Sequence, residues 1–167
     1  MGKENPLITA LKGALLLEYK GKDLYQSVID TSSHAAIREL FAFLRDEEED
    51  HIKTLKNHYR QVARGQELHF DPPPEERERD HPVLTEKITA EISGAGYEAA
   101  VISAALELEK KAVEYYAEQA GSAPGPDEKN LFSWLSAWEK KHMMMLARLD
   151  DELKEKIWYD NQFWPLD

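Results

Sequence analysis

Residues 46–51 read DEEEDH, five acids ending in a histidine. A charge run of this kind is usually the solvated face of a helix. Two of its members, Glu48 and His51, stand three apart and return further on as Glu139 and His142, which have the same spacing. Glu18 and Glu109 form a second repeated pair, and Tyr25 and Tyr116 follow them by seven residues each. Carboxylates and imidazoles are the donor set for divalent cations of the iron, manganese and zinc kind. One Glu-x-x-His arises by chance in any acidic helix. Two of them, in phase with two further glutamates, do not.

The phase is a constant offset. Glu109 follows Glu18, Tyr116 follows Tyr25, Glu139 follows Glu48 and His142 follows His51 by the same 91 positions. Leu40, Phe41, Leu44 and Leu55 also meet identical residues at that offset, at Leu131, Phe132, Leu135 and Leu146. Amphipathic helices align their leucines by pattern alone, but they have no reason to align Glu, Tyr and His as well. The repeat implies a duplicated helical hairpin with a local two-fold axis, and a symmetric site on that axis.

The elements that must carry these residues are helical. Asn5-Pro6 reads as an N-cap followed by proline at the first helical position, opening a helix to about residue 30. TSSH breaks it, and Ser32 or Ser33 can cap a second helix, over about 33–63. A proline- and charge-rich stretch follows, and VLTEKITAEIS within it can hold a short helix. A third long helix spans about 97–120, and GSAPGP turns the chain into a fourth, about 126–150 with scope for a further turn or two, before an aromatic tail over 151–167. The expected fold is all-α: one domain over 1–167, a four-helix bundle with one long crossover, 64–96, between the second and third long helices.

At about 100° per residue, Glu18 and Glu109 fall in the middle of apolar stripes. Glu48 and His51, like Glu139 and His142, flank the stripe centres of their helices. Asp46, Glu49 and Asp50 point away from the stripe, and Glu47 sits at its border. Four glutamates and two histidines therefore project into one core. Unpaired buried carboxylates are costly or become protonated, and Lys22 is the one cation near the stripe. Two divalent ions match four carboxylates in charge, in the constellation known for di-iron and di-manganese bundles. A carboxylate-rich, bridged site suits iron or manganese better than zinc, though two zinc ions or a mixed iron–manganese pair fit the same donors. Tyr25 and Tyr116 read as core residues or as donors that fix a ligand carboxylate across the bundle. His34, His58 and the run Met143–Met145 read as structural or exposed, His69 and His81 carry no assignment, and Trp158, Tyr159, Phe163 and Trp164 are expected to pack the tail on the bundle or on a second subunit.

Composition excludes other classes. The net charge of −11 argues against nucleic acid and anionic membranes. With no cysteine, disulfides, zinc–thiolate sites and iron–sulfur clusters are ruled out for these residues. The opening MGKENPLITALKG has no apolar run or cleavage pattern, so no signal peptide is expected, and the expected location is cytoplasmic.

Taken together, Glu18…Tyr25, Glu48–His51, Glu109…Tyr116 and Glu139–His142 resemble the rubrerythrin branch of the ferritin-like superfamily. The resemblance covers the four helices, about 7–150. It implies a ferritin-like bundle with a carboxylate-bridged pair of iron ions, Glu48 and Glu139 bridging, Glu18 and Glu109 terminal, His51 and His142 one on each ion. It implies redox chemistry of hydrogen peroxide or dioxygen, a role in oxidative stress, and a homodimer or higher homo-oligomer. A ferritin-like, non-catalytic iron-binding or storage module is the alternative, and a metal-dependent scaffold a third. Two departures stand out. Rubrerythrins carry a four-cysteine iron site that feeds electrons in; here an external donor protein or reductase would have to do so. They also carry an additional glutamate three residues after the third-helix ligand, where this chain has Ala112.

Overall fold

The computed structural model describes residues 5–73, 84–91 and 96–160. It contains α1 (Pro6–Thr31), α2 (Ala35–Ala63), α3 (Leu84–Glu91), α4 (Tyr97–Ser122) and α5 (Pro126–Asp160). The four long helices of the sequence are α1, α2, α4 and α5, and the short helix in the crossover is α3. Among the described residues there is no strand.

Each helix end has a local cause. Asn5 caps α1, its side-chain oxygen accepting from the Leu7 amide at 3.0 Å, with Pro6 in the first turn. Ser32 ends α1 and starts the next turn: its amide bonds Val28 O at 2.9 Å and its hydroxyl accepts from the His34 amide at 3.2 Å. His34, not a serine, occupies the N-cap of α2. At the far end of α2, Gly65 adopts φ 76°, and the amides of Gly65 and Gln66 close on the carbonyls of Val62 and Gln61 at 3.0 and 3.1 Å. That bond pair is the Schellman stop, which needs a left-handed residue and so favours glycine. Pro126 opens α5, and Glu128 reaches back to the Gly125 amide at 3.1 Å, half of a capping box. α5 runs to Asp160, ten residues past the 150 expected from sequence. Leu153 is buried there and Lys154 ion-pairs with Asp150 one turn back, at 2.5 Å, so the apolar stripe and its support continue.

Three-residue connections join α1 to α2 and α4 to α5, which makes each pair an antiparallel hairpin. Tyr25 meets Glu109 and Tyr116 meets Glu18, so α1 also runs antiparallel to α4. It follows that α2 and α4, joined by the crossover, are parallel. The crossover is packed as well as long: Leu68, Phe70 and, on α3, Ile88 are buried.

The core has two apolar halves. One gathers Val28, Leu40, Phe41, Leu44, Ile102 and Leu146. The other gathers Leu11, Ala14, Leu55, Leu131, Phe132 and Leu135. The 91-residue offset exchanges them: Leu40, Phe41 and Leu44 of one half correspond to Leu131, Phe132 and Leu135 of the other. A local two-fold axis therefore crosses the bundle between the halves. Among the described residues no helix is long and apolar enough to cross a membrane. The aromatic tail from residue 161, like His81, lies outside the described residues.

Candidate metal centre

Between the two apolar halves lies a layer of six ionisable side chains. Glu18 (α1), Glu48 and His51 (α2), Glu109 (α4), and Glu139 and His142 (α5) are each at most 3 % exposed. Each helix contributes from its inner stripe, so the six expected site residues all meet. They fall into two groups, Glu18–Glu48–His51–Glu139 and Glu48–Glu109–Glu139–His142, in each of which one ligand atom per residue lies within 4.8 Å of the others. Glu48 and Glu139 belong to both groups.

The distances show how tightly the layer is drawn. His51 Nδ1 stands 3.1 Å from Glu18 Oε2 and 3.0 Å from Glu139 Oε1. His142 Nδ1 stands 3.7 Å from Glu109 Oε1 and 3.5 Å from Glu139 Oε2. The two imidazoles lie 6.2 Å apart, nearly parallel at 26°. The first contact is a hydrogen bond, but both oxygens of Glu139 and both nitrogens of His142 have no hydrogen-bond partner. Four unpartnered polar atoms in one buried cluster contradict the ordinary rule for interiors. Cations bound in both groups would satisfy them. Lys22 does not: it turns outward and ion-pairs with Glu49.

The tyrosines hold the end carboxylates. Tyr25 on α1 donates to Glu109 on α4, and Tyr116 on α4 donates to Glu18 on α1. The two bonds are related by the local two-fold axis, and both tyrosines are fully buried. Fixing a ligand by an outer hydrogen bond is how proteins orient metal donors.

Electrostatics follow from burial. Burial would raise Glu18, but hydrogen bonding with Glu48 and the charge of His51 outweigh it and hold Glu18 at about 2. Glu48 and Glu109 are pushed well above the usual carboxylate range, by burial first and then by the charge of Glu139. Burial opposes a charge on His51, yet the adjacent Glu18 carboxylate carries it well above its ordinary 6.5. Burial pushes His142 down. Without cations, then, the layer retains protons in order to tolerate itself.

Several neighbours were not singled out in the sequence. Trp134 lies edge-on to His51 at 5.5 Å, and Phe43 edge-on to His142 at 6.2 Å. Phe43 and Trp134 are themselves 91 positions apart, so the repeat carried this signal. Trp138 touches both imidazoles, at 6.3 and 6.5 Å. Glu47, placed at the stripe's border by the helical wheel, is 9 % exposed. Asp46 and Asp50 point to solvent, as their angles on the wheel require, whereas Glu49, expected on the same outer wall, is half-buried and pairs with Lys22. His34 lies 3.8 Å from Glu98, His58 packs edge-on to Phe70, His69 pairs with Asp127 and Met144 is exposed, so none of them joins the layer.

The family model described as Rubrerythrin matches residues 9–150. No curated protein and no solved structure matches the chain.

Proposed function

The chain belongs to the Rubrerythrin family, and on that premise we propose that the buried layer holds two iron ions and reduces hydrogen peroxide or dioxygen with electrons from an external donor. The observation that carries the reading is the pair of four-ligand groups sharing Glu48 and Glu139, with four buried donor atoms that make no hydrogen bond. When bound, a ferrous pair supplies two electrons to an oxidant, which with two protons takes hydrogen peroxide to two molecules of water.

The residues of this chain supply the frame for that chemistry. Glu48 and Glu139 belong to both groups and would serve both ions. Glu18 and Glu109 serve one group each, and Tyr116 and Tyr25 hold them from the facing helix. His51 and His142 complete the groups one apiece. Four carboxylates balance two divalent ions, so the bound state would be neutral without the protons that the metal-free layer has to retain. The apolar halves on either side keep bulk water from the layer. The sequence contains no cysteine, so none of its residues can form a four-thiolate iron relay, and this reading calls for a donor beyond these residues. A cytoplasmic homodimer or higher oligomer, working in defence against oxidants, is the setting this reading favours.

Metal analysis after expression in iron-replete medium tests the centre, with about two ions per chain expected. Glu48→Ala and His142→Ala should each lower that number, and an unchanged metal content in both removes the assignment. The reaction has a separate test. Iron-loaded protein supplied with a chemical reductant should consume peroxide faster than the same concentration of free iron, and equal rates would refute peroxide reduction.

A further inference from the structure

The seam between α1 and α4 opens onto the carboxylate layer. Leu17 and Gly21 of α1 and Leu108 and Ala112 of α4 border a crevice whose inner wall includes Glu48 and Glu139. These four residues are two repeat pairs, Leu17 with Leu108 and Gly21 with Ala112, at the same 91-residue offset as the ligands. The crevice thus lies on the local two-fold axis. Its inner pair is small and buried, and its outer pair consists of half-buried leucines.

The small pair leaves little slack. A Cβ added at Gly21 would stand 3.3 Å from the Glu48 carboxyl carbon, tighter than ordinary contact. Among the described residues, the two apolar halves also flank the layer, and Phe43, Trp134 and Trp138 stand outside the histidines. Glu139 also lines the crevice, 1 % exposed and with neither oxygen hydrogen-bonded. Glu139 belongs to both ligand groups, so the crevice leads to the point where the two groups meet.

Resting on the reading of the layer as a metal centre, we propose that an uncharged oxidant of two heavy atoms reaches it along this crevice, and that Gly21 and Ala112 set the size limit. The base has room for no more than about one water molecule, so a molecule of two heavy atoms enters only as the bordering side chains give way and anything larger is excluded. The four bordering side chains are aliphatic or absent, so they offer neither charge nor hydrogen bond to hold an anion on the way in. Dioxygen and hydrogen peroxide share the required size and neutrality. Arrival on the axis presents the molecule equally to both ligand groups, because Glu48 and Glu139 belong to both.

Nitric oxide, uncharged and of two heavy atoms, is the probe. Its association with anaerobic, ferrous-loaded protein is followed by stopped-flow visible absorption, with metal content measured on the same samples. Ala112→Leu should slow association at least about tenfold while two ions per chain remain, as expected when access requires the protein to yield. Leu17→Ala with Leu108→Ala, at the rim, should speed it. An unchanged rate in Ala112→Leu with its metal retained overturns the route and leaves the centre standing. Should Ala112→Leu lose metal, the rim variant decides, and an unchanged rate there overturns the route. Failure of the wild-type chain to hold metal overturns both readings. Single-turnover oxidation by dioxygen and by peroxide, run separately, assigns the crevice to the oxidant whose rate falls with that of nitric oxide. If neither rate falls, oxidants do not use it.

Discussion

Glu139 is the residue on which the site turns. It is buried, shared by both ligand groups, and unsatisfied at both oxygens. Nothing in its local sequence, WEKKH, sets it apart from the charged residues around it. It became legible through the echo of Glu48 at a fixed offset and through its angle on the helix, whereas Gly21 and Trp138, with no chemical signature of their own, showed their roles only in three dimensions. Tyr25 makes a sharper residue-scale claim. Tyr25→Phe keeps the ring and removes the donor to Glu109. It should weaken metal binding by about tenfold or more, measured by competition with a chelator, and Tyr116→Phe should act alike on Glu18. Equal affinity in both variants would reduce the tyrosines to packing.

At the scale of the element, hairpin pairing and the parallel relation of α2 to α4 could be read from loop lengths, because a three-residue connection leaves a helix no option but to return. The end of α5 could not, since Leu153 and Lys154 keep the helix going where composition alone suggests a tail. Close approach between helices was equally hidden. Gly13 of α1 faces Tyr115 of α4, whose hydroxyl bonds the Ala10 carbonyl at 2.8 Å, and a Cβ at Gly13 would collide with that hydroxyl. Alanine in a helix interior is ordinarily better than glycine by about 1 kcal/mol. Here Gly13→Ala should instead destabilise by about 1–3 kcal/mol, the usual cost of overpacking. In a Tyr115→Ala background the same change should become neutral or stabilising. Urea unfolding of the four proteins measures the coupling.

For the whole molecule, the ionisable layer ties stability to pH. Glu48, Glu109 and His51 have folded values raised above their unfolded ones. Each contributes stability that is present below the unfolded value and lost as pH rises through the folded one. Above about pH 6.5 the unfolded chain has released these protons, and His142, whose value is lowered, is neutral in both states. From about pH 6.5 to 8 the folded, metal-free protein therefore holds more protons than the unfolded, and its Tm should fall. Glu18, held at about 2, begins to cost stability only when pH falls from 4.5 towards that value. Metal reverses the trend, because its ligands must be deprotonated and binding strengthens with pH. Thermal melts with and without metal check the sign, and parallel curves would show that the layer does not hold ions.

The rings against His51 give the centre an optical voice. Of four tryptophans in the chain, Trp134 and Trp138 stand in contact with a ligand imidazole. An open-shell ion at that imidazole drains their excited state, while a closed-shell ion such as zinc leaves it bright. Titrating the metal-free protein with ferrous iron should therefore dim its emission in step with occupancy, and zinc should not. The chain reports its own loading, and the kind of ion it has taken, in ultraviolet light.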